Sequence, residues 1–210
     1  MKKVLITQRI IANSDYYEIR DCLDVKWAAF LRAADLLPIP LPSHYDLRIY
    51  FQELNIAGII FSGGNDLSFY SGKGIDKTRD FLEERLIEYA LQENIPVLGI
   101  CRGMQLIGNF FGLTLEKVEG HAGKRHGIQV NEKSKYYVSL KDLQQVNSYH
   151  NYGFKETGDV FIPSVVSDDG IIEAMEHNRL KIFLQMWHPE RENPFRENEI
   201  KFIREYFNDE

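Results

Sequence analysis

The chain has 210 residues, 44% of them hydrophobic, and a formal net charge of −6. This length suffices for one α/β domain with a sizeable core, and no linker rich in proline, glycine or serine interrupts it, so residues 1–210 are predicted to form a single domain. Net negative charge and scattered basic residues exclude a surface that follows a phosphate backbone, so nucleic acid is not an expected partner. The apolar run after Lys3 is too short for a signal peptide or a membrane span, which predicts a cytoplasmic protein with no membrane partner.

Apolar strands alternate with amphipathic helices along the chain, which predicts an α/β fold with a doubly wound, mostly parallel sheet flanked by helices. The predicted strands cover residues 4–7, 37–41, 58–62, 97–100, 114–118, 126–130, 143–147, 171–176 and 182–186. The predicted helices cover residues 26–34, 78–93 and 197–207. The first long loop carries Tyr16 and Tyr17, which we expect to pack against the protein rather than to close over a substrate.

The stretch around Cys101 has the pattern of a nucleophile elbow. Cys101 stands between Gly99 and Gly103, after an apolar strand and before the helix-like run 104–108. Glycines are needed there because a sharp strand-to-helix turn brings the backbones so close that a Cβ would clash. The start of a helix also favours the thiolate over the thiol. Taken alone, the pattern also fits a small buried cysteine at a tight turn.

Three further segments carry groups that acyl transfer needs. His188 leaves a predicted strand and is followed by Glu190, so it can serve as a base that a carboxylate orients. Gly63 and Gly64 end another strand, where their backbone N–H groups are free to face a developing oxyanion. The third segment is the polar run Asn147, Ser148, Tyr149 and His150. Each segment by itself is also typical of an ordinary loop or turn.

In this order, the segments resemble the class I glutamine amidotransferase-like superfamily and, within it, the γ-glutamyl hydrolase branch, peptidase C26. The resemblance covers nearly the whole chain, and its most specific element is the run from Pro96 to Gln105. Two further matches are the pair Arg79-Asp80 and the run Asp-Gly-Ile-Ile-Glu-Ala at 169–174. The resemblance implies a flavodoxin-like α/β fold.

The resemblance also implies a role for each candidate residue. Cys101 would be the nucleophile, His188 the general base and then the acid, and Glu190 the residue that orients the imidazole. Gly64 and the backbone N–H of Arg102 would form the oxyanion hole. The residues implied to bind substrate are Gly63, Gln105, Asn147, Ser148, Tyr149 and His150.

The implied activity is hydrolysis of a γ-glutamyl amide through a thioester, a reaction that needs no metal and no organic cofactor. The expected partner is therefore a small γ-glutamyl compound. Within the branch, the chain looks closest to small bacterial hydrolases that release glutamate from a γ-glutamyl-CDP-amidate during capsule biosynthesis, although another γ-glutamyl amine would fit the same chemistry. The cations considered for an anionic leaving group are Arg125, Arg191 and Arg196.

Two other functions are compatible with the sequence. The first is a glutaminase subunit that passes ammonia to a separate synthetase, and the second is a non-catalytic binding module on the same fold. The run at 169–174 and the Arg79-Asp80 pair favour the hydrolase over the first, and the presence of Cys101, His188 and Glu190 argues against the second. A homodimer is left open.

Overall fold

The computed structural model describes residues 1–208. Its strands are β1 (Lys2–Ile6), β2 (Arg9–Ala12), β3 (Ile19–Cys22), β4 (Leu36–Pro40), β5 (Ile56–Phe61), β6 (Val97–Ile100), β7 (Glu116–Lys117), β8 (Ala122–Val130), β9 (Gln145–Tyr149), β10 (Tyr152–Gly153), β11 (Phe161–Ser167), β12 (Ile172–His177) and β13 (Ile182–Gln185). Its helices are α1 (Lys26–Ala33), α2 (Leu47–Glu53), α3 (Ser68–Ser71), α4 (Gly74–Gln92), α5 (Arg102–Phe110), α6 (Tyr137–Leu140) and α7 (Glu197–Asn208), and Pro189–Arg191 forms a 3₁₀ turn.

A nine-stranded sheet with the order β4-β1-β5-β6-β13-β12-β11-β8-β9 forms the centre of the molecule. The five strands from β4 to β13 pair in parallel, and the strands from β12 to β9 continue the sheet with antiparallel pairs. The predicted α/β class with a doubly wound, mostly parallel sheet flanked by helices is confirmed. The parallel half carries the crossover helices, which cover both of its faces.

Each face of the sheet has its own apolar core. Trp27 and Phe30 of α1 pack with Phe202 of α7 on one face, and Leu86 of α4 packs with Ile107 of α5 on the other. Strands between two such layers have no solvent-facing side, which explains why β1, β5 and β6 read as continuous apolar runs rather than alternating ones. No helix within residues 1–208 combines the length and the apolar character needed to cross a membrane.

The first long loop is a β-hairpin, which the sequence analysis missed. Strands β2 and β3 pair with each other in a separate two-stranded sheet. The expectation that Tyr16 and Tyr17 pack against the protein is wrong, because the hairpin turn carries them outward and leaves them 57% and 95% exposed. The predicted strand 114–118 is reduced to β7, while α2 and β11 were not predicted.

Helix α5 lies directly against β5 at Gly103. A Cβ at this position would stand 2.3 Å from the carbonyl oxygen of Phe61, and one at Gly99 would stand 2.6 Å from Cδ2 of Leu184. Real Cβ atoms do not approach other atoms so closely, and the neighbour at Gly103 is backbone that cannot rotate away. The steric reason for two glycines around Cys101 is therefore confirmed.

Replacement of Gly103 should destabilise the fold because α5 must move off the sheet. We expect Gly103→Ala to lower the free energy of unfolding by about 1–3 kcal/mol, the usual range for an overpacked site. Gly74→Ala is the matched control, since Gly74 begins α4 with open space around its Cα. Urea denaturation of the two variants measures the difference. Equal midpoints would contradict the close approach.

Candidate active site

Cys101 occupies a strained turn between β6 and α5. Its backbone has φ 51° and ψ −103°, a conformation that a residue with a side chain rarely adopts. The turn is held in place by a hydrogen bond from the Cys101 N–H to the carbonyl oxygen of Gln185, 2.7 Å away. The thiol is almost fully buried and lies at the first turn of α5, where the helix N-terminus favours negative charge.

His188 and Glu190 lie beside this cysteine. Nδ1 of His188 is 2.7 Å from Oε1 of Glu190, and the imidazole lies close enough to Cys101 to feel the charge of the thiolate. Burial opposes a charge on His188, but the charges of Glu190 and Cys101 outweigh it and raise the pKa of His188 to about 9. The imidazole is therefore protonated at neutral pH and can give up a proton from Nε2. A Cβ at Gly63 would stand 2.5 Å from Cε1 of His188, so only glycine fits there.

The amide of Asn147 fixes the backbone of His188. Its Nδ2 donates to the His188 carbonyl at 2.8 Å, and its Oδ1 accepts from the His188 N–H at 2.9 Å. Glu192 accepts a further bond from Nδ2 at 2.8 Å. Asn147 is thus saturated by its neighbours and does not line the cavity in front of Cys101.

The loop after β5 is held from below by the guanidinium of Arg79, which is fully buried. Arg79 donates to the carbonyl oxygens of Ser62 at 2.7 Å, Gly63 at 3.2 Å and Gly64 at 2.5 Å. In a trans peptide, the N–H points opposite to the preceding carbonyl. Since the Gly63 carbonyl faces Arg79, the Gly64 N–H faces away from it, on the side where Gly64 lines the cavity.

The side chain of Arg102 points away from the cavity into a buried ion-pair network. Its guanidinium contacts Glu83 and Asp80, and Glu83 also accepts from Arg79 at 2.9 Å. Burial disfavours the charge of Glu83, but the two guanidinium groups lower the pKa of Glu83 below its usual value. The side chain is therefore turned toward this network, and the oxyanion role expected of the Arg102 backbone N–H stays a prediction.

A cavity of about 390 Å³ opens in front of the thiol. It is lined by Cys101 and His188 and by four other predicted site residues: Gly64, Gln105, Tyr149 and His150. Gln105 donates from Nε2 to the Tyr152 carbonyl at 3.0 Å, and the Tyr149 ring stands edge-on to His188. Ser148 is fully buried, bonds the His121 carbonyl and does not line this cavity.

Four charged residues that the sequence analysis did not assign to the site also line this cavity: Arg9, Asp66, Lys73 and Asp76. Arg9 extends from the unpredicted β2, and its guanidinium lies against Gly64. Asp76 lies shortly before the pair Arg79-Asp80, so the resemblance of that pair to the family was the sequence signal that could have identified Asp76. A second cavity of about 230 Å³ shares Arg9, His188 and Arg191 with the first and also contacts Glu190.

Of the three arginines considered for an anionic group, one reaches the site. Arg191 lines both cavities and places its guanidinium carbon 4.6 Å from the centroid of the Tyr149 ring. Arg125 and Arg196 instead form ion pairs with Glu192, at 3.0 Å and 3.6 Å, and line neither cavity. Proximity in sequence to His188 was therefore a poor guide for Arg196.

A second polar cluster adjoins the cavity and shares His150 with it. Its members are His121, His126, His150 and Glu173. Each member offers one potential ligand atom, and these atoms lie within 4.8 Å of one another. Within residues 1–208, this is the group of side chains whose potential ligand atoms lie close enough together to hold a metal ion.

Comparison with known proteins places this site in a family. The family model for peptidase C26 matches residues 6–190. The chain is 39% identical over 204 residues to the γ-glutamyl-CDP-amidate hydrolase of Campylobacter jejuni, and the match covers 96% of both chains. It is 31% identical over 177 residues to a putative glutamine amidotransferase of Schizosaccharomyces pombe, a match that covers 73% of this chain and 70% of that one. A crystal structure of a putative GMP synthase subunit from Thermoplasma acidophilum has the same fold, with a TM-score of 0.73 at 18% identity over 99% of this chain and 92% of that chain. The nucleophile run and the hydrolase-like segments thus identified the correct branch, and the chain belongs to the peptidase C26 family.

Proposed function

We propose that the chain is a cysteine-dependent hydrolase that releases glutamate from a γ-glutamyl amide. The observation that carries this proposal is the arrangement of Cys101 and His188 at one cavity that Gly64 also lines, with Glu190 bonded to His188 behind them. Membership in the peptidase C26 family supports the same reaction class.

In the proposed first half-reaction, the Cys101 thiolate attacks the δ-carbonyl carbon of the γ-glutamyl group. The N–H groups of Gly64 and Arg102 stabilise the oxyanion that forms. Nε2 of His188 then gives its proton to the amide nitrogen, the C–N bond breaks, and the amine leaves. Glu190 holds Nδ1 and so keeps Nε2 directed toward the reacting atoms.

In the second half-reaction, His188 is neutral and takes a proton from water. The hydroxyl oxygen attacks the thioester carbon, a second tetrahedral oxyanion forms at the same N–H groups, and the C–S bond breaks. Glutamate is released, Cys101 returns as a thiolate and His188 as an imidazolium. Every proton is carried by side chains and water, so no metal or organic cofactor takes part in the steps.

The charges around His188 favour an anionic leaving group. The amine must leave on the His188 side because this residue protonates it. Arg9 and Arg191 line both cavities on that side, and guanidinium groups bind phosphate oxygens with paired hydrogen bonds. A diphosphate fits this arrangement. We therefore propose γ-glutamyl-CDP-amidate, the compound in the name of the Campylobacter relative, as substrate and CDP-amidate for capsule modification as product.

Asp76 offers a complementary group for the glutamyl half of the substrate. Its carboxylate is buried at the start of α4, and Oδ1 makes no hydrogen bond within residues 1–208 although Asp76 lines the cavity. An unpaired buried carboxylate is costly unless a ligand satisfies it. The α-ammonium group, which is present in every γ-glutamyl compound, is the cation that this position would bind.

We further propose that the enzyme works in the cytoplasm as a single domain. Cys101 must stay reduced, and both Cys22 and Cys101 are free thiols. The central sheet takes strands from both ends of the chain, since β1 and β13 are separated from each other only by β5 and β6. The homodimer stays a prediction.

Removal of the nucleophile is the direct test of the reaction. Cys101→Ala should lower kcat by at least about 10⁴-fold, because no other group forms the thioester. Glutamate release is measured with glutamine, γ-glutamyl-aminobutyrate and γ-glutamyl-CDP-amidate, and we expect the last to be preferred. Preference for glutamine, or activity only after a synthetase is added, would support the amidotransferase subunit instead. A folded wild type that releases no glutamate from any of the three would support the binding module.

The pH dependence tests the role of Glu190. The alkaline limb of the kcat/KM profile should fall near pH 9 in the wild type, because acylation needs the imidazolium form of His188. Glu190→Gln removes the negative partner of the imidazolium and should move this limb to lower pH by roughly 1 unit or more. Glu116→Gln, an exposed carboxylate paired with Lys155, is the control and should leave the limb in place. A limb that is unchanged in Glu190→Gln would contradict the assignment.

A comparison of KM values distinguishes the residue that binds the glutamyl half of the substrate from the residue that binds the leaving group. Asp76→Asn should raise KM for glutamine and for γ-glutamyl-CDP-amidate alike, since both carry the α-ammonium group. Arg191→Ala should raise KM by about 10-fold or more only for γ-glutamyl-CDP-amidate, the size expected for one charged hydrogen bond. Arg48→Ala, a surface arginine paired with Asp46, is the control. An Arg191→Ala variant with unchanged KM would refute the anionic subsite.

A further inference from the structure

We propose that a cluster beside the active-site cavity binds one divalent transition-metal ion, with Zn²⁺ as the ion that its donors fit best. The four ligands are His121, His126, His150 and Glu173. Imidazole nitrogens with one carboxylate oxygen form a donor set that zinc accepts in a tetrahedral arrangement. This proposal departs from the sequence-based expectation that the chain binds no metal.

The cluster is assembled from three strands of the antiparallel half of the sheet, of which β8 and β9 are neighbours and β12 is separated from β8 by β11. His126 lies in β8 and His121 immediately before it, His150 follows β9, and Glu173 lies in β12. The ring of His121 is centred 4.5 Å from that of His126 and 4.9 Å from that of His150. All members but the partly exposed His126 are buried.

The distances from the Glu173 carboxylate to the three imidazole nitrogens match those of a tetrahedral zinc site. Oε1 of Glu173 is 3.1 Å from Nδ1 of His121 and 3.4 Å from Nε2 of both His126 and His150. Ligands about 2.0–2.1 Å from a tetrahedral zinc ion stand about 3.3–3.4 Å from one another. The three distances from the carboxylate oxygen agree with this value, and all four donor atoms lie within 4.8 Å of one another.

The outer nitrogen of each imidazole faces an oxygen that accepts hydrogen bonds. The three pairs are His121 Nε2 with Asp169 Oδ2 at 3.0 Å, His150 Nδ1 with the Tyr152 carbonyl at 3.1 Å, and His126 Nδ1 with the Gly127 carbonyl at 3.4 Å. In a neutral imidazole, the outer nitrogen then carries the hydrogen and the inner nitrogen carries a lone pair. Metal-binding histidines have this pattern of outer partners.

A cation is what the interior of the cluster lacks. Three imidazole nitrogens converge there on the Glu173 carboxylate, and beyond these mutual contacts the inward nitrogens and both oxygens of Glu173 make no hydrogen bond within residues 1–208. Buried acceptors that face each other repel, and buried polar atoms without partners are costly. A divalent ion would satisfy all four donors at once and offset the charge of Glu173.

Such an ion would hold in place the wall of the cavity that contains His150, and it would take no part in the chemistry. Four protein ligands close a tetrahedral site and leave no position for water or substrate. The ion would tie β8, β9 and β12 together and fix His150, which lines the cavity with Cys101. The expected consequence of metal loss is a less ordered wall, seen as a lower Tm and a higher KM.

The first test measures binding by the full-length protein without any substrate. Protein dialysed against a chelator is titrated with Zn²⁺ and, separately, with Co²⁺, and bound metal is measured by mass spectrometry after desalting. We expect one ion per chain, and intense visible absorption of tetrahedral Co²⁺. Because no γ-glutamyl compound is present, the result is independent of the proposed hydrolase activity. A folded wild type that retains neither ion would overturn the proposal.

Variants then locate the ion. His126→Gln removes the partly exposed ligand, so it disturbs the core least, and Glu173→Gln removes the only anionic ligand; each should weaken Zn²⁺ binding by at least about 10-fold. His177→Gln is the matched control, because His177 is also a buried histidine and ends β12, but its Nδ1 accepts from the backbone N–H groups of Arg179 and Leu180. Equal Zn²⁺ affinity in His126→Gln, Glu173→Gln and the wild type would place the ion elsewhere and refute the site. Circular dichroism establishes that each variant is folded.

Discussion

The guanidinium of Arg79 is fully buried beneath the loop after β5 and donates to three successive carbonyl oxygens, those of residues 62–64. It also pairs with Glu83, which in turn binds Arg102 at the start of the nucleophile helix. One carboxylate between two guanidinium groups thus joins the loop after β5 to the turn at Cys101. Breaking a buried network of this kind leaves an unpaired charge, so the relative position of loop and nucleophile is strongly fixed.

The strain at Cys101 depends on the same frame. A positive φ on a cysteine persists only where the surroundings force it. Here the carbonyl of Gln185 holds the Cys101 N–H, while Gly103 allows α5 to rest on the Phe61 carbonyl. Gly63 is pressed against His188 on the other side. Packing therefore brings the thiol, the imidazole and the loop after β5 together before any substrate arrives, which is the preorganisation that the proposed catalysis requires.

Sequence patterns revealed what local geometry dictates and missed what tertiary pairing decides. The Gly-X-Cys-X-Gly elbow and the apolar parallel strands carry strong local signals, so Cys101 and the fold class were predictable. Arg9 was missed because β2 has only four residues and pairs only with β3, outside the main sheet. Asn147 was expected to touch substrate, yet its amide is used by the His188 backbone, a contact across 41 residues that no local pattern contains.

The change from parallel to antiparallel pairing explains why two polar clusters share one edge of the sheet. Parallel neighbours β6 and β13 end together, so Cys101 and His188 emerge side by side. Strand β12 runs in the opposite direction, so its beginning lies at this same edge, and the Glu173 carbonyl accepts from the Met186 N–H at 2.8 Å. Strand direction alone therefore places Glu173 and its histidines next to the cavity. A metal ion there would stiffen the antiparallel strands beside the cavity, just as Arg79 fixes the loop that follows the parallel strand β5.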